Sequence, residues 1–236
     1  MNKTIDEAVA LATAIRDSVD NVDSVDRVNR TSVCLRWRTR SPVRKSRSAR
    51  RTCTKWQRIY TGEISAAMLD GLVSYVIIGH SERRQYFAET DETVNKKVRA
   101  ALAAGEAPIM CVGESVTAGG GRDPVLRGRA GAGRADRADD AGGEPGHCLQ
   151  AIWAIGTGLA TTPEQAQDVC GDVVRGVLDV FGDAVAANTR VLYGGSTNDK
   201  NITEIVKTRH RQRSSAAQSK VDSYSSMVTQ TAELYG

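Results

Sequence analysis

Residues 73–114, VSYVIIGHSERRQYFAETDETVNKKVRAALAAGEAPIMCVGE, decide the fold. They read as strand, polar loop, helix, strand. Val73 to Ile78 is a short apolar, β-branched run of the kind that suits a strand buried on both faces of a parallel sheet. It stops at Gly79-His80-Ser81-Glu82-Arg83-Arg84, a dense polar cluster at a strand's carboxyl end, where α/β folds place their chemistry. Thr90 then caps a helix with Glu92 and Thr93 in its first turn. Val94, Val98, Ala101 and Leu102 line one face of that helix, and Gly105 ends it. Pro108 to Val112 is the next strand.

The same alternation extends outward. Thr4-Ile5-Asp6-Glu7 is a capping box, in which the Thr4 hydroxyl and the Glu7 carboxylate satisfy free amides at a helix start. Ile5, Ala8, Val9, Ala12, Ile15 and Val19 share the face that follows. Thr162-Pro163-Glu164-Gln165 repeats the device, with Pro163 suited to the first helical position. Ala166, Val169, Val173, Val177 and Val180 form its apolar stripe. Arg190 to Tyr193 reads as a strand, and Asn198 to Lys207 as a short helix with Ile202, Ile205 and Val206 inward. Alternating strands and helices predict parallel βα units. The 236 residues suffice for one such domain, 1–236, with a sizeable core.

Composition narrows the function classes. Residues 27–58 hold twelve Lys or Arg and no Asp or Glu, and the remainder is acidic, with 20 basic residues against 28 acidic. The basic balance thus belongs to one segment. The five cysteines, Cys34, Cys53, Cys111, Cys148 and Cys170, lack metal-ligand spacing, and only His80, His147 and His210 supply imidazoles. No metal or other cofactor is expected, and the setting is expected to be reducing and cytoplasmic. No secretory leader and no run of roughly 20 apolar residues is read, so no membrane contact is expected.

Three segments break the pattern and are expected to be irregular: 27–58, 117–147 and 208–219. The first has neither helical nor strand periodicity. The second mixes Gly, Ala, Arg and Asp with almost no large apolar residues, a composition that buries too little surface to offset chain entropy. Arg-rich, low-complexity text between orderly blocks suggests stretches translated in a shifted reading frame.

Gly79-His80-Ser81-Glu82-Arg83-Arg84, Ile152-Trp153-Ala154-Ile155-Gly156-Thr157-Gly158 and Tyr193-Gly194-Gly195-Ser196, in that order, resemble the triosephosphate isomerase family. The resemblance is dense from Tyr60 to Glu114 and from Ile152 to about Lys207, and lapses in the three irregular segments. It implies a (β/α)8 barrel, here incomplete, because the family's first strand and its lysine would precede Met1. It implies interconversion of dihydroxyacetone phosphate and glyceraldehyde 3-phosphate through an enediol, and a small phosphorylated triose as substrate. The family is itself the standing example of a neutral histidine tuned for this work. On that resemblance, His80 matches the electrophile and Glu82 the loop's second carboxylate, with an ion pair to Arg83 or Arg84 as the alternative for Glu82. Gly156, Gly195 and Ser196 match positions whose backbone amides hold phosphate; glycine lets the backbone approach an anion closely. The general-base position falls on Gln150, followed by Ala151. An amide side chain has no titratable oxygen and cannot take the proton. Thr61-Gly62-Glu63 resembles the tip of the dimer loop, which implies a homodimer.

Two other readings stand beside an active isomerase. One is an inactive, isomerase-like protein, since losing the base or the lysine removes transition-state stabilisation worth several orders of magnitude. The other is nucleic-acid binding through 27–58, with Trp37 and Trp56 stacking on bases among arginines. A solvated basic stretch is the preferred reading of that segment, because no recognised binding motif is present. The chain is also expected to be poorly stable, with sheet edges left open.

Overall fold

The computed structural model describes residues 4–19, 22, 27–30, 46–50, 63–69, 72–112, 115–116, 122–123, 146–149, 162–168, 170–171, 175, 183, 190–194, 197–207, 212–214 and 221–235. Helix α1 (Ile5–Val19) leads into strands β1 (Arg27–Arg30) and β2 (Ser46–Arg50). After a 3-10 turn over Ala66–Met68 come β3 (Tyr75–Ile78), α2 (Ser81–Phe87), α3 (Asp91–Ala103) and β4 (Ala107–Val112). Short strands β5 (Ser115–Val116), β6 (Arg122–Asp123) and β7 (Gly146–Leu149) follow. The order then runs β8 (Arg190–Tyr193), α4 (Ile202–Val206), β9 (Gln212–Ser214) and α5 (Val221–Tyr235). Among the described residues, no helix is long and apolar enough to cross a membrane.

Seven strands form one sheet in the order β1-β2-β3-β4-β7-β8-β9. Every ladder in it is parallel. Parallel neighbours cannot be joined by tight hairpins, so each step needs a crossover. Between β3 and β4 that crossover is α2 and α3. The one antiparallel pairing described, β5 with β6, is a separate two-stranded ribbon.

The apolar run of β3 faces two ways. Val76 and Ile78 are completely buried and pack with Leu69, Val94 and Ala101, beside Val98 and Met110. That layer joins the sheet to α3. Tyr75 and Ile77 instead pack on Ile109 and Cys111 of β4, together with Leu192 of β8. Leu192 joins this cluster from β8, two strands along the sheet from β4. Full burial of a Val, Ile or Leu side chain stabilises by about 1.5–3 kcal/mol, so the β3–α3–β4 unit anchors the described core. A third cluster, Ile202, Val206 and Met227 with Tyr224 and Leu234, joins α4 to α5. Helices α1 and α5 also lie against each other.

Helix starts follow the capping chemistry of the sequence. The Thr4 N–H donates to Glu7 Oε2 at 2.7 Å, and the Glu7 N–H donates to Thr4 Oγ1 at 3.4 Å. Thr90 and Thr93 form the reciprocal pair that opens α3. Thr162 and Gln165 do the same ahead of the helical residues 163–168. Strand β3 begins at Tyr75, two residues later than expected, and α4 is the core of the expected 198–207 helix.

The structure departs from expectation in the three segments read as irregular. Residues 27–58 supply β1 and β2, 117–147 supplies β6 and the start of β7, and 208–219 supplies β9. The physical reason is that a ladder is built from backbone N–H and C=O groups, which every non-proline residue carries whatever its side-chain pattern. Periodicity reports which faces are buried, and these short strands were invisible to it.

Candidate active site

The site begins where β3 ends. Gly79 sits at φ +76, a left-handed conformation that glycine adopts without steric cost. A Cβ there would lie 3.0 Å from Val94 Cγ2 and 3.3 Å from both Arg84 Nη2 and the Cys111 carbonyl oxygen. The turn therefore needs glycine twice, for its φ and for its space. It delivers His80 to the N-cap of α2 with extended-type dihedrals, φ −55 and ψ 143.

The Glu82 backbone N–H donates to His80 Nδ1 at 3.3 Å. A backbone amide can only donate, so in this arrangement Nδ1 is the acceptor and the proton of the neutral ring resides on Nε2. The imidazole is 12% exposed, whereas the Glu82 side chain is 49% exposed, its Oε2 3.8 Å from Nδ1. That distance is too long for a hydrogen bond. At Nδ1 the hydrogen-bonding partner is therefore the amide and not this carboxylate oxygen. Chemically, His80 offers an N–H donor able to polarise a carbonyl oxygen.

The two arginines of the loop turn away from Glu82. Arg83 Nε bonds Glu89 Oε1, and its guanidinium also stacks on the Phe87 ring at 4.6 Å. Arg84 Nε donates to the Gly79 carbonyl at 2.9 Å, and its Nη1 donates to Asp91 Oδ1 at 2.7 Å. The ion-pair alternative for Glu82 is thus not the route these arginines take.

Behind the loop lies a buried charge cluster that the sequence reading did not find. Lys97, on α3, donates to Glu89 Oε1 at 2.6 Å, and both residues are buried. Burial alone would raise the Glu89 carboxyl. The hydrogen bonds and charges of Lys97 and Arg83 outweigh it and hold the group below its ordinary range. The available signal was Lys97 itself, which sits within the Val94–Ala101 apolar stripe; a charge on that face must have a partner.

Strands β3 and β8 point the same way in one parallel sheet. His80 and Gly194, which follow their carboxyl ends, therefore share one end of the sheet. Tyr193, the last residue of β8, and Thr197 are buried. Gly156, Gly195 and Ser196, as well as Gln150 and the rest of 152–158, lie outside the described residues. So do Thr61 and Gly62.

A parallel α/β sheet with a histidine held by a backbone amide at its carboxyl end defines a class, the enzymes that gather their chemistry on strand-end loops. The chain belongs to the triosephosphate isomerase family, a family of isomerases: that family's model matches residues 1–212. The matched span crosses 27–58 and 117–147, where the resemblance was expected to lapse. The triosephosphate isomerase of Acetivibrio thermocellus is 40% identical over 210 residues, 87% of this chain and 84% of that protein. That of Endomicrobium trichonymphae is 38% identical over 213 residues, 88% and 85% of the two chains. A shorter match, 46% identity over 153 residues, joins it to triosephosphate isomerase of Dehalococcoides mccartyi, covering 62% of this chain and 58% of that one.

Proposed function

We propose that this chain is a (β/α)8 isomerase acting on dihydroxyacetone phosphate and glyceraldehyde 3-phosphate, in cytoplasmic triose metabolism, with its turnover impaired at the base position. The reading rests on one observation above all: the Glu82 amide fixes His80 Nδ1 as acceptor and leaves Nε2–H to donate. In the reaction a proton passes from the carbon next to the carbonyl to a solvent water, the acceptor left when residue 150 is Gln, and the enediol forms as the carbonyl oxygen takes up charge and then a proton. The His80 Nε2–H stabilises that oxygen and can pass its proton to it. Glu82, half-exposed at the same end, serves as the loop's second carboxylate. The amides of Gly156, Gly195 and Ser196 take the phosphate. No carboxylate stands at the position of the base, because residue 150 is Gln.

The proposed protein is a homodimer. Met68, Tyr86 and Phe87 are more than half exposed, and two of them close α2, the helix that His80 caps. Such side chains are natural anchors for a second copy.

The test is steady-state isomerisation of glyceraldehyde 3-phosphate by the chain and by Gln150→Glu. A positioned general base contributes about 10²–10⁴-fold, so Gln150→Glu is expected to raise kcat by about that factor. In that background, His80→Gln is expected to remove the gain. No turnover by either the chain or Gln150→Glu refutes the reading.

A further inference from the structure

Arg84 makes two bonds at once, and neither goes to a group that meets substrate. Its Nε holds the carbonyl of Gly79, the residue immediately before His80, and its Nη1 is held by Asp91 at the start of α3. The guanidinium thereby ties the end of β3, the second turn of α2 and the first turn of α3 into one bracket. His80 is gripped from the other side as well: its own carbonyl accepts the N–H groups of Arg83 at 2.8 Å and Arg84 at 3.1 Å. The peptide joining Gly79 to His80 thus has its oxygen fixed by the same residue whose amide caps on His80.

We infer that Arg84 is a positioning residue for His80, acting through the Gly79 carbonyl, with Asp91 holding the guanidinium in place. The inference deepens the proposed isomerase function and rests on His80 being its electrophile. The Gly79 peptide has room to rotate about its flanking dihedrals once its oxygen is released, because glycine accepts a broad range of them. Rotation there swings the imidazole relative to the Glu82 amide and breaks the Nδ1 contact that fixes the tautomer. Arginine suits the task because its planar fork serves two acceptors in one geometry, which a lysine ammonium on a flexible stem does not.

The experiment is nitrogen-detected NMR on the chain labelled with 15N-histidine, at neutral pH, for the wild type, Arg84→Met and Asp91→Asn. In the wild type His80 is expected to show two well-separated ring nitrogen shifts, those of a single Nε2–H tautomer. In Arg84→Met those shifts are expected to move toward each other as the tautomers mix. Asp91→Asn, a milder change that leaves the Gly79 bond possible, is expected to give a smaller displacement in the same direction, and it decides the matter if Arg84→Met does not fold. His80 shifts unchanged in the folded variants overturn the inference, even where stability falls. Kinetics on glyceraldehyde 3-phosphate supply a second reading: kcat is expected to drop by about tenfold or more in Arg84→Met with KM within about twofold, as for a misplaced catalytic group. Absence of turnover in the unmutated chain counts against the impaired-isomerase reading, while the imidazole shifts still decide the role of Arg84.

Discussion

Two glycines with the same backbone conformation separate strain from crowding. Gly79 and Gly105 sit at φ +76 and +74, so replacing either by alanine imposes a similar left-handed penalty, about 1–2 kcal/mol. Each replacement also stiffens the unfolded chain, which returns about 0.4–1 kcal/mol. For Gly105 nothing lies within 4 Å of the new Cβ, and the net loss for Gly105→Ala is expected to be about 0–1.6 kcal/mol. At Gly79 the Cβ meets Val94 Cγ2 at 3.0 Å and the Cys111 carbonyl at 3.3 Å. Val94 is fully buried and β-branched, and the carbonyl belongs to β4, so neither can step aside cheaply. Overpacking of this kind adds about 1–3 kcal/mol, which brings Gly79→Ala to roughly 2–4 kcal/mol in total. Urea unfolding monitored by circular dichroism measures both. Equal losses for the two variants, within about 0.5 kcal/mol, refute the claim that the β3–α3–β4 packing closes over Gly79.

Other expectations follow from the loop and its buried charges. Glu89 is held ionised below its ordinary pKa, so the unfolded chain takes up a proton there at a higher pH than the folded one. Its stabilising contribution is complete above the ordinary value of 4.5 and fades as the pH falls below it toward the folded value; urea midpoints measured from pH 7 to 3 should show a decline that Glu89→Gln flattens. Lys97→Met leaves Glu89 with Arg83 alone in a buried site and is expected to cost about 3–5 kcal/mol; a loss under 1 kcal/mol on denaturant titration argues against the cluster. Ala88 has φ 51 at the C-cap of α2, so Ala88→Gly is expected to raise stability by up to about 1 kcal/mol, and a lower melting temperature contradicts the assignment.

What the sequence disclosed was local. The Thr4–Glu7, Thr90–Thr93 and Thr162–Gln165 caps each lie within one helical turn, and all three form as residue spacing says they must. The Val94–Ala101 stripe and the β3 run were legible because burial imposes a period on them. His80 was legible because of its neighbours. The Arg84 bracket was not, since its partners, Gly79 and Asp91, are five and seven residues away and a backbone carbonyl leaves no mark in the sequence. The Glu89 cluster was hidden for a like reason, since it joins a loop residue to Arg83 on α2 and Lys97 on α3. Helix α5 was passed over although Tyr224, Met227, Val228, Thr231 and Leu234 recur at helical spacing; its face is apolar only in part and finds its partners on α4 and α1. Strands β1, β2, β5, β6, β7 and β9 were missed because their pairing is a property of the neighbouring backbone.

The contact between α1 and α5 has a cost in time. About 200 residues separate these helices along the chain. At a synthesis rate of about 5–20 residues per second, α1 leaves the ribosome on the order of 10–40 s before the helix that covers it exists. For that interval the part of α1 that α5 covers is exposed in a crowded cell. This chain should therefore depend on chaperone holding during translation more than its finished form suggests.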